Sequence, residues 1–177
     1  MCTSFYVSDH QLKDASPYVL SIRRQPQGAR IRSGSCCIWP PPVVQLHVIS
    51  SFAVSPDHFE WEEFLTTARL VSVDNTTDEV IDDHGFPILR GATTQKGVWL
   101  SVYPGLDAPP PANVALQTPV FFQFQNLTMH SVGQFRLQFN FYRKSDFPGL
   151  VPPVLASVVS DIFLAVDEDG WEVETEE

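Results

Sequence analysis

Four arginines are the residues of this chain best suited to do chemistry. Arg23 and Arg24 are adjacent, and Arg30 and Arg32 follow after a short break with Ile31 between them. A guanidinium group is a planar fork of donors, matched to phosphate oxygens and to the hydrogen-bonding edge of guanine. Four of the eleven basic residues therefore fall in one short stretch, with the chemistry of a polyanion-binding site. The competing reading is that they solvate a strand edge, or pair with the acidic stretches at 57–63 and 74–83.

Other candidate chemistry does not assemble. The five histidines, His10, His47, His58, His84 and His130, are scattered, and no pair has helical ligand spacing. Cys36, Cys37 and His47 fall short of a four-ligand zinc set, so no metal site is expected. Five acids and no base lie between Asp74 and Asp83. Their oxygens do not recur at EF-hand positions and no glycine stands at the required turn, which predicts a solvated loop. There is no GxSxG, Walker loop, dinucleotide turn or HExxH. With no nucleophile–base pair to name, the expectation is a protein that is not an enzyme, with no cofactor and no small-molecule substrate.

The scaffold presenting the arginines reads as all-β. No amphipathic helical period appears; apolar residues alternate or run in short blocks punctuated by Pro, Gly, Asn and Asp. Tyr18, Leu20 and Ile22 share one face of a strand over 18–24, leaving Ser21 and Arg23 on the other. Gln25-Pro26-Gln27-Gly28 breaks or bulges that strand, residues 29–32 resume it, and Ser33-Gly34-Ser35 turns the chain. The triplet Pro40-Pro41-Pro42 cannot donate to a ladder and delivers the chain stiffly into a strand where Val44, Leu46 and Val48 alternate with Gln45 and His47. The same triplet could instead be a ligand for an SH3-like domain, though the core strand fused to it argues against that. His47 is expected at the surface or between sheets.

Further strands are expected over 64–73, 98–103, 120–125 and 133–143, with a last one between Leu155 and Val166. In the stretch 133–143 Phe135, Leu137, Phe139 and Phe141 alternate with Gln134, Arg136, Gln138 and Asn140, so one face is core and the other wet. Residues 57–63 could form a helical turn or a loop, and the proline-rich stretches 104–119 and 147–153 irregular connections. About seven to eight strands with long Pro-rich loops favour a β-sandwich over a barrel.

At 177 residues the chain suits a single domain, and 44% hydrophobic against 18% charged residues argues against disorder. The expected division is an N-terminal extension over 1–17, a domain over 18–166 and an acidic C-terminal tail over 167–177. The net charge of −10 is concentrated in that tail, which holds seven acids and no base, so the other 166 residues carry −3. Residues 1–50 carry a local +3. Three cysteines, two of them adjacent, do not make a secreted disulfide framework. No leader pattern opens the sequence and no apolar run approaches a membrane span, so an intracellular, soluble protein with no membrane partner is expected. The sequons at Asn75 and Asn126 are then expected to be coincidental.

The run YVLSIRRQPQGARIRSG followed by PPPVVQL resembles the opening of the velvet domain of fungal regulators of development and secondary metabolism. Gln25-Pro26, Ala29-Arg30 and Pro40 to Leu46 stand in that family's order. FLTTARL, LRGATTQKGVWLSVY and VFFQFQNLTMHSVGQFRLQFNFY are similar to its central strands, so the resemblance covers about 18–166. It implies an immunoglobulin-like, Rel-type β-sandwich that acts in the nucleus, shuttling with the cytoplasm, as a homodimer or heterodimer. It also implies DNA binding, carried over to Arg23, Arg24, Arg30 and Arg32. The sequence departs from the family at neutral Gln27 and Gly28, at the base-free Ser35 to Trp39, and in an acidic end where a Lys-rich phrase is usual. Lys144 to Gly149 is similar to part of that phrase. Fewer phosphate contacts imply weak binding. The alternative is an interaction subunit that does not itself bind DNA and pairs with a more basic velvet-like partner.

Overall fold

A computed structural model describes residues 17–31, 36–48, 64–74, 76–99, 120–143 and 152–167. The described residues form strands and no helices, in chain order β1 Tyr18–Arg24, β2 Gly28–Ile31, β3 Cys36–Trp39, β4 Val43–Val48, β5 Phe64–Ser72, β6 Thr94–Lys96, β7 Val98–Trp99, β8 Val120–Gln123, β9 Thr128–Met129, β10 Gly133–Arg143, β11 Ala156–Val159 and β12 Phe163–Asp167. A small sheet has the order β1-β4-β8-β7, and a large one the order β6-β5-β10-β12-β2-β3-β9 with β11 also paired to β10. The two face each other as a β-sandwich across one core.

The core follows from the alternation of β10. Phe135, Leu137, Phe139 and Phe141 are all buried, each contributing about 1.5–3 kcal/mol of hydrophobic burial. Phe141 ties the layers together: its ring stacks on Phe64 of β5 at 5.3 Å and meets Tyr18 of β1 and Phe122 of β8 edge-on at 5.2 and 6.0 Å. Leu20, Val44 and Leu46 of the small sheet close the same cluster.

The chain crosses between sheets at Gln25-Pro26-Gln27. β1 pairs antiparallel with β4 in the small sheet, whereas β2 pairs parallel with β12 in the large one. Proline has no N–H for a ladder, so the strand must break there. Pro26 is buried, the Gln27 amide donates to Trp39 O at 3.0 Å, and Gln25 Oε1 accepts from Asp161 N at 3.1 Å. The proline triplet also feeds β4 as its chemistry requires: it cannot donate, but Pro42 O accepts from Phe124 N at 3.0 Å.

The strands are cut more finely than the sequence blocks. The last block divides into β11 and β12 because Ser160 replaces a regular ladder step: its Oγ accepts from Leu137 N and its N–H donates to Leu137 O, both at 2.8 Å. Residues 36–39, read as a connection, form β3, with Cys36 and Ile38 buried and Cys37 and Trp39 exposed. β9 follows a tight turn at Asn126, whose φ is +62°. Gly91 abuts that turn: its φ is +92° and a Cβ there would lie 2.0 Å from Asn126 O, so no side chain fits. The expectations for 57–63, 100–119 and 144–151 lie outside the described residues.

Candidate nucleic-acid interface

The arginines flank the crossing between sheets, and the crossing divides them. Arg23 and Arg24 end β1 in the small sheet; Arg30 stands in β2 of the large one. Arg32 lies outside the described residues. The connection 25–27 is short, so a span of at most about 14 Å separates the Cα atoms of Arg24 and Gly28.

Arg23 sits at a bulge. Ile22 pairs with Val44 and Arg24 with Val43, so Arg23 is the extra residue between them. Bulges twist a strand and re-aim its side chains. Arg23 is half-buried and its charge reaches His47. His47 is 6% exposed, on the face of β4 turned away from the core, and its Nε2 lies 2.8 Å from Ser21 Oγ. Burial first, and then the Arg23 charge, holds the imidazole below its ordinary pKa of 6.5. The residue is thus an interior group rather than a surface one.

Arg24 is partly committed to the fold. Its Nε donates to Pro41 O at 2.7 Å, which ties β1 to the proline triplet. The rest of its fork remains for an external acceptor, because a guanidinium has five N–H groups. Arg30, by contrast, is exposed, on the outward face of the large sheet between buried Ala29 and Ile31.

A second basic residue joins Arg30 on that face, one that sequence reasoning missed. Arg90 bridges to Thr128, and Thr128 pairs with Cys37 of β3. Arg90 and Cys37 are both exposed, and Thr128 lies outward between buried Leu127 and Met129. Nothing in the local sequence of Arg90 marks it; its bridge to Thr128 of β9, which pairs with β3, brings it into register. The alternation of Cys36 to Trp39 was the available signal for β3.

Among the acids of 74–83, Asp82 closes its own loop. Asp82 Oδ1 accepts from Phe86 N and His84 N, each at 2.9 Å. The hydrogen bond from Phe86 is the largest influence on its carboxyl; with the bond from His84 and the charges of His130 and Arg90 it outweighs desolvation, the second influence, and holds the group below the usual range. The adjacent thiols cannot share an ion, since Cys36 faces the core and Cys37 the solvent. Burial pushes the Cys36 thiol up, away from the thiolate a metal needs.

Among the described residues no group of three His, Cys, Asp or Glu side chains could hold a metal ion; the described arginines Arg23, Arg24 and Arg30 lie on either side of one inter-sheet crossing. Compared with known proteins, the chain matches no family model and no curated protein.

Proposed function

We propose that the protein is a velvet-like transcriptional regulator of fungal development, sporulation and secondary metabolism, acting in the nucleus as a dimer with itself or another velvet-like chain. It binds DNA weakly through Arg23, Arg24, Arg30 and Arg32, and it is not an enzyme. The observation that carries the reading is the crossing at Gln25-Pro26-Gln27, which sets Arg24 and Arg30 on either side of one short connection. Guanidinium groups so spread suit successive phosphates along a backbone better than a single small anion.

Salt-dependent fluorescence anisotropy with a duplex tests it. Four phosphate contacts give a slope of at most about −3.6 in log K against log salt, from roughly 0.9 per contact. The quadruple Arg→Ala protein should lose that slope; unchanged binding sinks the site. Thermal melting of the same protein controls for the Arg24 contact to Pro41.

A second reading, the interaction subunit, is favoured by a different observation. Arg24 is engaged by Pro41 O and Arg23 is half-buried beside His47, which lowers their value as phosphate ligands. On that reading sedimentation gives a dimer while the isolated chain leaves duplex DNA unbound at physiological salt.

A further inference from the structure

The outward face of the large sheet carries a slot between two exposed apolar side chains. In register across three strands stand Leu164 of β12, Gly28 of β2 and Trp39 of β3. Leu164 is 48% and Trp39 67% exposed. Glycine has no side chain, so bare backbone lies between them. Two strand spacings make the slot about 9.6 Å from centre to centre, the width of an aromatic ring with its contacts. One step along the strands, on the same face, Arg30 is exposed, and beyond β9 so is Arg90.

The ten residues that follow β12 have the complementary chemistry. EDGWEVETEE carries Glu168, Asp169, Glu172, Glu174, Glu176 and Glu177 and no base. Trp171 and Val173 alternate with Glu172 and Glu174, so an extended chain presents an apolar edge and an acidic edge. The chain also leaves the sheet beside this face, because Val166 is in register with Arg30 and Asp167 with Ile31.

We propose that the acidic run 168–177 docks back on its own sheet, with Trp171 seated over Gly28 between Leu164 and Trp39 and its carboxylates meeting Arg30 and Arg90. The lengths agree. Four residues from Asp167 to Trp171 span up to about 14 Å, and Gly28 lies three residues back along the strand and one strand across, about 11 Å away. Gly170 supplies the turn onto the face. The six residues from Glu172 to Glu177 then span about 20 Å, enough to pass β3 and β9 toward Arg90. The docking does not require DNA to be the ligand; only its consequence, that the run shields Arg30 from a polyanion, rests on the function proposed above.

Hydrogen exchange of 168–177 in the full chain decides the docking without DNA. Protection of at least tenfold over an unstructured peptide is expected, independent of protein concentration. It should fall to the peptide rate in Trp171→Ala, in the Arg30→Glu/Arg90→Glu double variant and in 0.5 M salt. Arg30 and Arg90 are exposed, and circular dichroism verifies the fold of every variant. Peptide-like exchange in the unaltered chain overturns the docking, as does protection that survives the double variant. Protection that grows with concentration also overturns it, in favour of the run seating on a second copy. With a random duplex, the full chain with its six acids at 168–177 replaced by Gln and Asn should bind at least tenfold tighter. If neither protein binds the duplex, the DNA reading fails while exchange still decides the docking.

Discussion

The outward faces of the two sheets break the usual pattern in opposite directions. On the small sheet, Val43, Gln45, His47 and Phe121 share the face turned away from the core, yet all are buried, Gln45 and His47 at 4% and 6% exposure. On the large sheet, Trp39 of β3 and Leu164 of β12 face outward and are exposed, and Val132 and Ile162 beside its strands are exposed too. Polar and titratable groups are therefore enclosed on one side, while apolar ones are bare on the other. Position in the alternation says which face a residue occupies; what covers that face decides its environment. The small sheet's outer face is a second interior, with polar groups that must be satisfied. The large sheet's is a surface with unspent apolar area, the kind that marks contact sites.

The largest test of this contrast goes through the core the two faces share. Phe141→Ala removes the ring that meets Tyr18, Phe64 and Phe122, and should cost about 3–5 kcal/mol in denaturant unfolding. Trp39→Ala removes a ring of larger area, but from the exposed face, and should change stability by less than about 0.5 kcal/mol. Similar losses at both positions would mean that Trp39 is packed as tightly as a core ring.

His47 sharpens the contrast from the enclosed side. Its folded pKa lies below the ordinary 6.5, so the unfolded chain binds the proton more readily than the folded one. Stability should accordingly be full above pH 6.5, fall as pH drops from there toward the folded pKa, and level off below it. In His47→Gln that slope should vanish, and loss of the bond to Ser21 should cost about 1–3 kcal/mol at pH 7.5. Arg23→Ala removes one of the two forces depressing the pKa, so the slope should shrink. Urea midpoints between pH 5 and 7.5 check all three. An unchanged slope in His47→Gln would assign it to another group.

Much of this was legible in the residues. The alternation of β10, the proline break before β2 and the strand that follows the proline triplet each follow from one local rule, and each forms as expected. The enclosure of Gln45 and His47 was not legible, because period 2 assigns a face but not its cover. β3 was missed because two adjacent cysteines and a following proline triplet suggest chemistry or a turn, while the strand signal rests on only four residues. The site fared similarly. The spacing of Arg23, Arg24 and Arg30 suggests convergence, yet the change of sheet at Pro26 separates them, and no local feature of Arg90 foretells that β9 brings it onto the face of Arg30.

The smallest effects separate the arginines themselves. Arg24 holds Pro41 O through a charge-assisted bond at 2.7 Å in a partly buried position, so Arg24→Ala should cost about 1–2 kcal/mol. Arg30→Ala, on an exposed strand face, should stay within about 0.5 kcal/mol. Polyanion affinity should order them the other way, since Arg24 has already directed one donor inward and is part-buried, whereas Arg30 stands on an exposed position. Thermal melts beside anisotropy titrations of the two single variants read both quantities. If Arg24→Ala weakens binding more than Arg30→Ala does, the ligand lies along the small sheet's end of the crossing, and the exposed face of the large sheet is not its seat.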